Sequence, residues 1–216
     1  MTKNSSRPLK LYLLRHGQTE HSRDNYFCGS GTNPPLTAQG LTMAEEFAAA
    51  YRTQTWEQIF SSPLERARQT LAPLLREQGV SAEYRAELAE ISYGAWEGLT
   101  PLEIERDTAG LYSNWLKDPV SYSPPGGESA LQLAERASQL LAEIQTQHQS
   151  GDILIVSHKG TIRALLCHLL GIDLKLFRAR LDCPVCSLSI IEYRPAGPLL
   201  RALGDRRHLS SKNLTE

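Results

Sequence analysis

The chain has 216 residues, a formal net charge of −1 and 41% hydrophobic residues, which is typical of a globular protein long enough to bury a full core. The near-neutral charge argues against a nucleic acid or a membrane surface as the main partner. No apolar run reaches the length of about 18 residues that a bilayer-spanning helix needs, and we expect a cytoplasmic protein.

Strand and helix patterns alternate along the chain. The first is a buried strand at 9–14, followed by a helix with Thr37 as its N-cap and an apolar face at Leu41, Ala44, Phe47, Ala48 and Tyr51. The remaining predicted elements are, in order, a strand at 56–61, a helix that starts at a capping box from Ser62 to Glu65, a weak strand at 81–88, a helix at about 129–148, a strand at 152–157, a helix that Gly171 ends, and a late strand at 186–193, assigned to a sheet edge. This alternation predicts an α/β fold, with a mainly parallel sheet between helices on both faces.

Three of the predicted strands lead into cationic or imidazole side chains. The first is followed by Arg15 and His16, the second by the helix that holds Arg66, and the strand at 152–157 by His158. Ligands of parallel α/β sheets bind beyond the carboxyl ends of the strands. Arginine binds oxyanions bidentately, and a neutral imidazole can attack phosphorus. The pattern favours a phosphoryl-transfer site in which His16 attacks and His158 donates to a nonbridging oxygen.

Such a reaction needs a proton donor for the leaving alkoxide. Glu90 is the preferred candidate because it precedes a turn at Tyr93 and Gly94, and Glu87 is the alternative. Negative charge on a bound phosphate favours the protonated form of a nearby carboxyl, which suits a general acid.

Competing chemistries lack their motifs. The chain has no GxxxxGK[ST], no cysteine followed by five residues and arginine, no DxD or HxH cluster and no GxSxG. Cys183 and Cys186 form a CxxC pair without a second pair of ligands, so they are predicted to be ordinary thiols, like Cys28 and Cys167. We therefore expect no metal and no cofactor.

The motifs RHGQT, LTAQG, SSPLERARQT, ELAEISYGAWEG, GGES and VSHKGTIRALL occur in one order along the chain. In this order they resemble the histidine phosphatase superfamily, the phosphoglycerate-mutase-like fold, from about residue 9 to 208. The resemblance implies one domain over 1–216, a three-layer α/β/α sandwich and a small lid excursion at about 91–128. It also implies a phosphohistidine intermediate on His16, a phosphate pocket of Arg15, Arg66 and His158, and Glu90 as acid and base.

The resemblance also implies several substrate-binding residues. The backbone of Gly17 would orient the nucleophilic imidazole, the backbone near Gly160 would touch phosphate, and His208 lies in a tail segment that returns toward the pocket in the family.

Two positions depart from the family pattern. Many members carry an asparagine shortly after the first motif, where this chain has His21 and Ser22, so Ser22 or Asn25 is expected to take over that phosphate contact. Lys159 stands where glycine or alanine is common.

The leading hypothesis is a metal-independent, acid-type histidine phosphatase, a phosphoric monoester hydrolase acting on a small phosphorylated metabolite. A mutase is the alternative, although the stretch between Glu90 and Gly126 is short for the mutases of the family. A non-catalytic phospholigand-binding regulator is the third hypothesis. Phosphoserine is the favoured substrate, because His21, Arg23 and Lys159 suit a compact ester that carries a carboxylate. A homodimer is left open.

Overall fold

One six-stranded sheet organises the computed structural model, which describes residues 7–108 and 110–214. Its strands are β1 (Leu9–Arg15), β2 (Gln58–Ser61), β3 (Glu83–Tyr84), β4 (Gly151–Ser157), β5 (Leu188–Arg194) and β6 (Gly197–Asp205). They lie in the order β3-β2-β4-β1-β5-β6. The first four of these are parallel to one another, and β5 and β6 are antiparallel to their neighbours. The mainly parallel sheet predicted from the sequence is confirmed.

Helices cover both faces of the sheet. The α-helices of the described residues are α1 (Glu20–Arg23), α2 (Ala38–Tyr51), α3 (Glu65–Gln78), α4 (Pro101–Asp107), α5 (Leu111–Lys117), α6 (Ala130–Gln147), α7 (Lys159–Leu170) and α8 (Phe177–Arg180). Short 3₁₀ turns occur at Ala86–Leu88, Gly94–Trp96, Leu174–Leu176 and Ser211–Asn213.

The central strand β4 divides the apolar core into two layers. Ile153 and Ile155 pack in one cluster with α6 and α7, while Leu154 and Val156 pack in the other with α2 and α3. Successive side chains of a strand point to opposite faces, so a strand buried on both sides is apolar at every position. The result is the expected three-layer α/β/α sandwich.

Most helix boundaries follow their predicted caps. Thr37 caps α2 by accepting from the Gly40 amide, and Ser129 begins α6 in a capping box. Gly171 ends α7 at φ +65°, a left-handed conformation that glycine adopts without strain.

The predicted capping box at Ser62 is wrong. Helix α3 begins at Glu65, its N-cap is Leu64, and this cap makes no side-chain hydrogen bond. The Ser62 hydroxyl lies 2.7 Å from His158 Nε2 and also accepts a long bond from the Leu64 amide. The Ser62 hydroxyl, which the local sequence predicts to cap α3, therefore bonds instead to His158, 96 residues away in the chain.

The late strand is wrongly predicted to lie at an edge. Strand β5 pairs with β1 on one side and with β6 on the other. Strand β6 was not predicted because glycine and proline at 197, 198 and 204 break its pattern. The weak strand at 81–88 is reduced to Glu83–Tyr84, which pairs with β2 at the other edge.

Candidate active site

The sheet register brings the two site histidines together. In the parallel pair of β1 and β4, Arg15 lies opposite Ser157, and the His16 amide donates to the Ser157 carbonyl at 3.0 Å. His16 and His158, which follow these strand ends, have ring centroids 5.1 Å apart. The central parallel strands thus place both imidazoles at the carboxyl edge of the sheet, where α/β folds bind ligands.

The imidazole of His16 is oriented by the next residue. Its Nδ1 donates to the Gly17 carbonyl at 2.7 Å, and the Gly17 amide donates to Thr70 Oγ1. Burial, and then the charges of Arg66 and Arg15, hold the pKa of His16 well below its ordinary value. The ring is therefore neutral at pH 7, with its proton on Nδ1 and a lone pair on Nε2.

His158 is fully buried between β2 and α3. Its Nδ1 accepts from Arg66 Nε at 3.1 Å, so its Nε2 carries the proton and donates to Ser62 Oγ. Burial, followed by the charges of Arg66, His16 and Arg15, keeps the pKa of His158 well below its ordinary value. It is a neutral hydrogen-bond donor beside His16.

The two arginines predicted for the phosphate pocket are anchored by backbone carbonyls. Arg66, on the first turn of α3, donates to the carbonyls of Thr32 and Gly29, and Arg15 donates to the Cys183 carbonyl at 2.7 Å. These contacts fix the guanidinium planes without neutralising them, because carbonyl oxygens carry no formal charge. A guanidinium held in a fixed plane matches the geometry of an oxyanion.

Glu90 is held at the N-terminus of α7. Its carboxylate accepts from the amides of Ile91, Gly160 and Thr161 at 2.9–3.2 Å, and its side chain lines the cleft that contains His16. From behind, Arg136 donates to the carbonyl of Glu90. The carboxyl group is thereby fixed at the wall of the cleft that His16 also lines.

The alternative acid, Glu87, lies elsewhere. It pairs with Arg85 at 2.9 Å and does not line the cleft. The ion pair with Arg85 lowers the pKa of this carboxyl below its ordinary value. A carboxylate in this position is unsuited to donate a proton to substrate.

Gly160 has a different role from the one implied by the family. Its amide donates to Glu90 Oε2 at 3.0 Å rather than pointing toward a phosphate. A Cβ at this position would lie 2.5 Å from Glu90 Oε1. The absence of a side chain is what lets the carboxylate approach the helix.

A cleft of about 150 Å³ opens in front of His16. Seven of the predicted site residues line it: Arg15, His16, His21, Ser22, Asn25, Glu90 and Lys159. Arg66 and His158 lie behind its wall, in contact with each other.

Ser22 and Asn25 are the two candidates for the phosphate contact that an asparagine makes in many family members, and they differ in how their side chains are engaged. The Ser22 hydroxyl is engaged with the backbone of Thr19, in the capping box that begins α1. Asn25 is exposed at φ +58°, a conformation that asparagine tolerates better than most residues. Asn25 is therefore the better placed of the two to reach a ligand.

His208 does not belong to this cleft. Its Nε2 lies 2.9 Å from the Cys186 carbonyl, and its ring packs edge-on against Phe47 and Tyr51. The tail runs along α2 on one face of the sheet, so the expected contact between His208 and substrate is wrong for this structure. Arg23, another predicted rim cation, pairs with Asp24 and is absent from the cleft wall.

Sequence reasoning missed two cations of the cleft, Arg163 and Arg178, and also the polar residues Thr19, Tyr26 and Tyr93. Arg163 follows Lys159 by four residues on α7, a spacing that puts both side chains on one helix face. That spacing is a signal that could have been used. Arg178 comes from α8, and no local pattern connects it to the other residues.

The described part of the chain contains no cluster of metal-binding side chains and no helix that could span a membrane. Across residues 7–108 and 110–214, no group of three or more His, Cys, Asp or Glu side chains could hold a metal ion. No helix in those same ranges is long and apolar enough to cross a membrane. Cys183 and Cys186 are buried free thiols, and burial raises the pKa of Cys186 to about 12.

Most of the chain matches the model of a known protein family. The model of the histidine phosphatase superfamily (branch 1) matches residues 11–206. The chain belongs to the histidine phosphatase superfamily. This confirms the resemblance drawn from the order of the motifs.

Relatives within the superfamily have several named activities. The chain is 36% identical over 195 residues to the bifunctional protein Rv2228c of Mycobacterium tuberculosis, covering 88% of this chain but only 52% of that protein's length. It is 27% identical to the adenosylcobalamin/alpha-ribazole phosphatase of Escherichia coli, covering 92% of this chain and 97% of the relative. It is also 27% identical to phosphoserine phosphatase 1 of Hydrogenobacter thermophilus, covering 93% and 94%.

Solved structures confirm the fold. The native structure of mycobacterial glucosyl-3-phosphoglycerate phosphatase matches this chain with a TM-score of 0.83 and 26% identity, over 92% of this chain and 99% of that one. The relatives with named activities are phosphatases, in agreement with the phosphatase branch predicted from the motifs.

Proposed function

We propose that the protein is a phosphomonoesterase that hydrolyses a small phosphorylated metabolite through a phosphohistidine on His16. The observation that carries the proposal is the state of His16, which is neutral, buried beside two arginines and tied through Nδ1 to the Gly17 carbonyl. This leaves the Nε2 lone pair for a nucleophilic attack.

In the first step, the guanidinium groups of Arg15 and Arg66 hold the nonbridging oxygens of the phosphoryl group. The Nε2–H of His158, which donates to Ser62 Oγ in the free protein, turns to one of these oxygens when the phosphoryl group binds. His16 Nε2 attacks phosphorus, the bond between phosphorus and the ester oxygen breaks, and that oxygen takes a proton from Glu90. The charge that spreads over the nonbridging oxygens meets donors already in place, which is the main way enzymes accelerate phosphoryl transfer.

In the second step, water replaces the alcohol. The Glu90 carboxylate takes a proton from this water as its oxygen attacks phosphorus, and the bond to Nε2 breaks. Inorganic phosphate leaves, His16 is again neutral, and Glu90 is again protonated. The same carboxyl thus serves as acid and then as base.

We also propose that the reaction needs no metal ion. The positive charge of Arg15 and Arg66 meets the phosphoryl group directly, and carbonyl oxygens of Cys183, Thr32 and Gly29 accept from the two guanidinium groups. This proposal rests on the cations present at the site.

Two rival functions use the same pocket. A mutase would return the phosphoryl group to a second hydroxyl, and a regulator would bind the ligand without turnover. The short stretch between Glu90 and Gly126 favours transfer to water over transfer to a second hydroxyl. The preorganised Glu90 favours catalysis over simple binding.

The substrate is proposed to be small, with phosphoserine favoured. The narrow cleft supports a compact ester, and one relative is named a phosphoserine phosphatase, whereas others are named for alpha-ribazole and glucosyl-3-phosphoglycerate esters. The single domain over 1–216, the lid role of 91–128, the cytoplasmic location and the homodimer remain predictions.

The covalent intermediate gives a direct test. Wild-type protein mixed briefly with ³²P-labelled substrate, with and without EDTA, is expected to carry acid-labile, base-stable label, whereas His16→Ala carries none and has no turnover. Label on a serine or aspartate would refute the mechanism, and loss of label in EDTA that magnesium restores would refute metal independence. His168→Gln, an exposed histidine of α7, is the matched control and should label normally.

A further inference from the structure

Three cations on the cleft wall have no assigned part in holding the phosphoryl group. Arg15 and Arg66 are assigned to that group, yet Lys159, Arg163 and Arg178 line the same cleft as Arg15. The one carboxylate among the described lining residues is Glu90, and it is engaged by backbone amides. The part of the wall that Arg163 and Arg178 form is thus positively charged.

Arg163 is buried with unused hydrogen-bonding capacity. The residue is 8% exposed, and its Nε has no hydrogen-bond partner among the described residues. Its nearest carboxylate is that of Asp182, at 3.9 Å, and the Asp182 side chain is 77% exposed. A buried donor without a partner costs free energy, so such a group is commonly satisfied by a ligand.

Arg178 is held at the same wall by aromatic rings. Its guanidinium lies 4.4 Å from the centroid of the Trp115 ring and 6.0 Å from that of Phe27. It forms no ion pair with a carboxylate in the described ranges, and it lies within hydrogen-bonding reach of Tyr93. Stacking fixes the plane of the guanidinium while leaving its edge available to an anion.

The charge of Arg178 acts on Arg163. Burial lowers the pKa of Arg163, and the charges of Arg178 and Arg15 lower it further against the opposing effect of Cys183. Like charges in proximity repel, and a bound anion would relieve the repulsion.

We infer that Arg163 and Arg178 form a second anion subsite that binds a carboxylate of the substrate while Arg15 and Arg66 hold its phosphoryl group. A carboxylate fits because its two oxygens match the fork of a guanidinium and because both arginines line the cleft that Arg15 and His16 also line. The inference rests on the proposed phosphatase function. It makes the substrate class phosphorylated carboxylic acids, and the two arginines its specificity determinants.

The test compares two esters that differ by a carboxylate, phosphoserine and phosphoethanolamine, with p-nitrophenyl phosphate as a general probe of catalysis. Wild type is expected to prefer phosphoserine over phosphoethanolamine in kcat/KM by at least tenfold. Arg178→Gln and Arg163→Gln are each expected to reduce this preference about ten- to a hundredfold, mainly through KM, the usual loss for one charge-assisted contact. Arg180→Gln, an exposed arginine on the same short helix, should keep the wild-type preference.

Binding without turnover gives a second measurement. Calorimetric titration of His16→Ala should show tighter binding of phosphoserine than of phosphoethanolamine, and the difference should shrink when Arg178→Gln is added. Because Arg163 is buried, Arg163→Lys serves as its replacement if the glutamine variant fails to fold.

The outcomes separate the two proposals. Equal kcat/KM for phosphoserine and phosphoethanolamine in wild type, or variants that lose both activities equally, would overturn the carboxylate subsite. Failure to hydrolyse any ester, p-nitrophenyl phosphate included, would instead overturn the phosphatase function.

Discussion

At the residue scale, Glu90 meets two demands that usually conflict. It must be fixed in position, and it must exchange a proton with substrate. Three backbone amides donate to its carboxylate oxygens, and Arg136 donates to its own backbone carbonyl. The positioning is thus done by backbone groups, which have no titration of their own near neutral pH.

Glu90→Gln is expected to lower kcat on an alkyl phosphate by about 10²–10⁴-fold, the usual contribution of a general acid. The loss on p-nitrophenyl phosphate should be smaller, since p-nitrophenolate leaves with little need of a proton. The measurement is the ratio of kcat values for the two esters, with Glu87→Gln as the control that stays near wild type. A loss of equal size on both esters would show that Glu90 acts structurally.

The residues that the sequence could predict are those placed by a single apolar strand. Arg15 ends β1, and His16 and His158 come directly after β1 and β4, whose apolar side chains predict the two strands. The contact between Ser62 and His158 could not be predicted, because the two residues are distant in the chain. The sequence around Ser62 fits a local helix cap equally well. The place of Arg178 in the cleft could not be predicted either, because it depends on the tertiary packing of a helix of only four residues.

At the scale of elements, the start of α7 is built around the carboxylate of Glu90. Gly160 and Thr161 present their amides there, in the first turn where helical N–H groups lack intrahelical partners. The positive end of the helix dipole adds to this attraction. Helix α7 therefore positions the proposed acid, whereas the family resemblance implied that its backbone touches phosphate.

Gly160→Ala tests this arrangement. The added Cβ would clash with Glu90 Oε1 at 2.5 Å, so the carboxylate must move away from the amides. We expect kcat on an alkyl phosphate to fall at least about tenfold, and the double variant with Glu90→Gln to be no slower than Glu90→Gln alone, since both changes remove one function. Additive losses would contradict this, and His168→Ala on the exposed face of α7 is the control.

At the scale of the whole molecule, the buried histidines couple stability to pH. The pKa values of His16, His158 and His208 lie below the ordinary value in the folded state, with burial as the first cause in each. In the unfolded chain these groups regain their ordinary pKa of about 6.5. Below that pH the unfolded chain therefore binds protons that the folded protein does not.

The free energy of unfolding should consequently decrease as the pH falls from 6.5 toward 5, by up to about 1.4 kcal/mol per pH unit for each histidine. Above pH 7 this contribution is fully present and constant. Urea unfolding at several pH values measures the slope, which should be shallower in His158→Gln and unchanged in His168→Gln. A wild-type slope near zero between pH 6.5 and 5 would contradict the burial of neutral imidazoles.

The overall architecture was predictable because strand and helix periods alternate clearly over most of the chain. The exception, β6, is an edge strand with glycines and a proline, and its pairing with β5 depends on tertiary context rather than on local pattern. The segment at 91–128 was predicted as an excursion, but its aromatic packing against Phe27 joins residues from distant parts of the chain.

The two ends of this 91–128 segment are fastened to each other. The Glu128 amide donates to the Ser92 carbonyl, the Ser92 amide donates to Glu128 Oε2, and Arg136 binds both the Glu128 carboxylate and the Glu90 carbonyl. Closing a loop costs entropy that grows only with the logarithm of its length. Because these bonds close the segment at its two ends, we expect changes in its length that spare its buried residues Trp96 and Trp115 to leave Glu90 in place. Natural variation between the two ends is then expected to reshape the cleft wall at Tyr93 while the anchors of Glu90 stay the same.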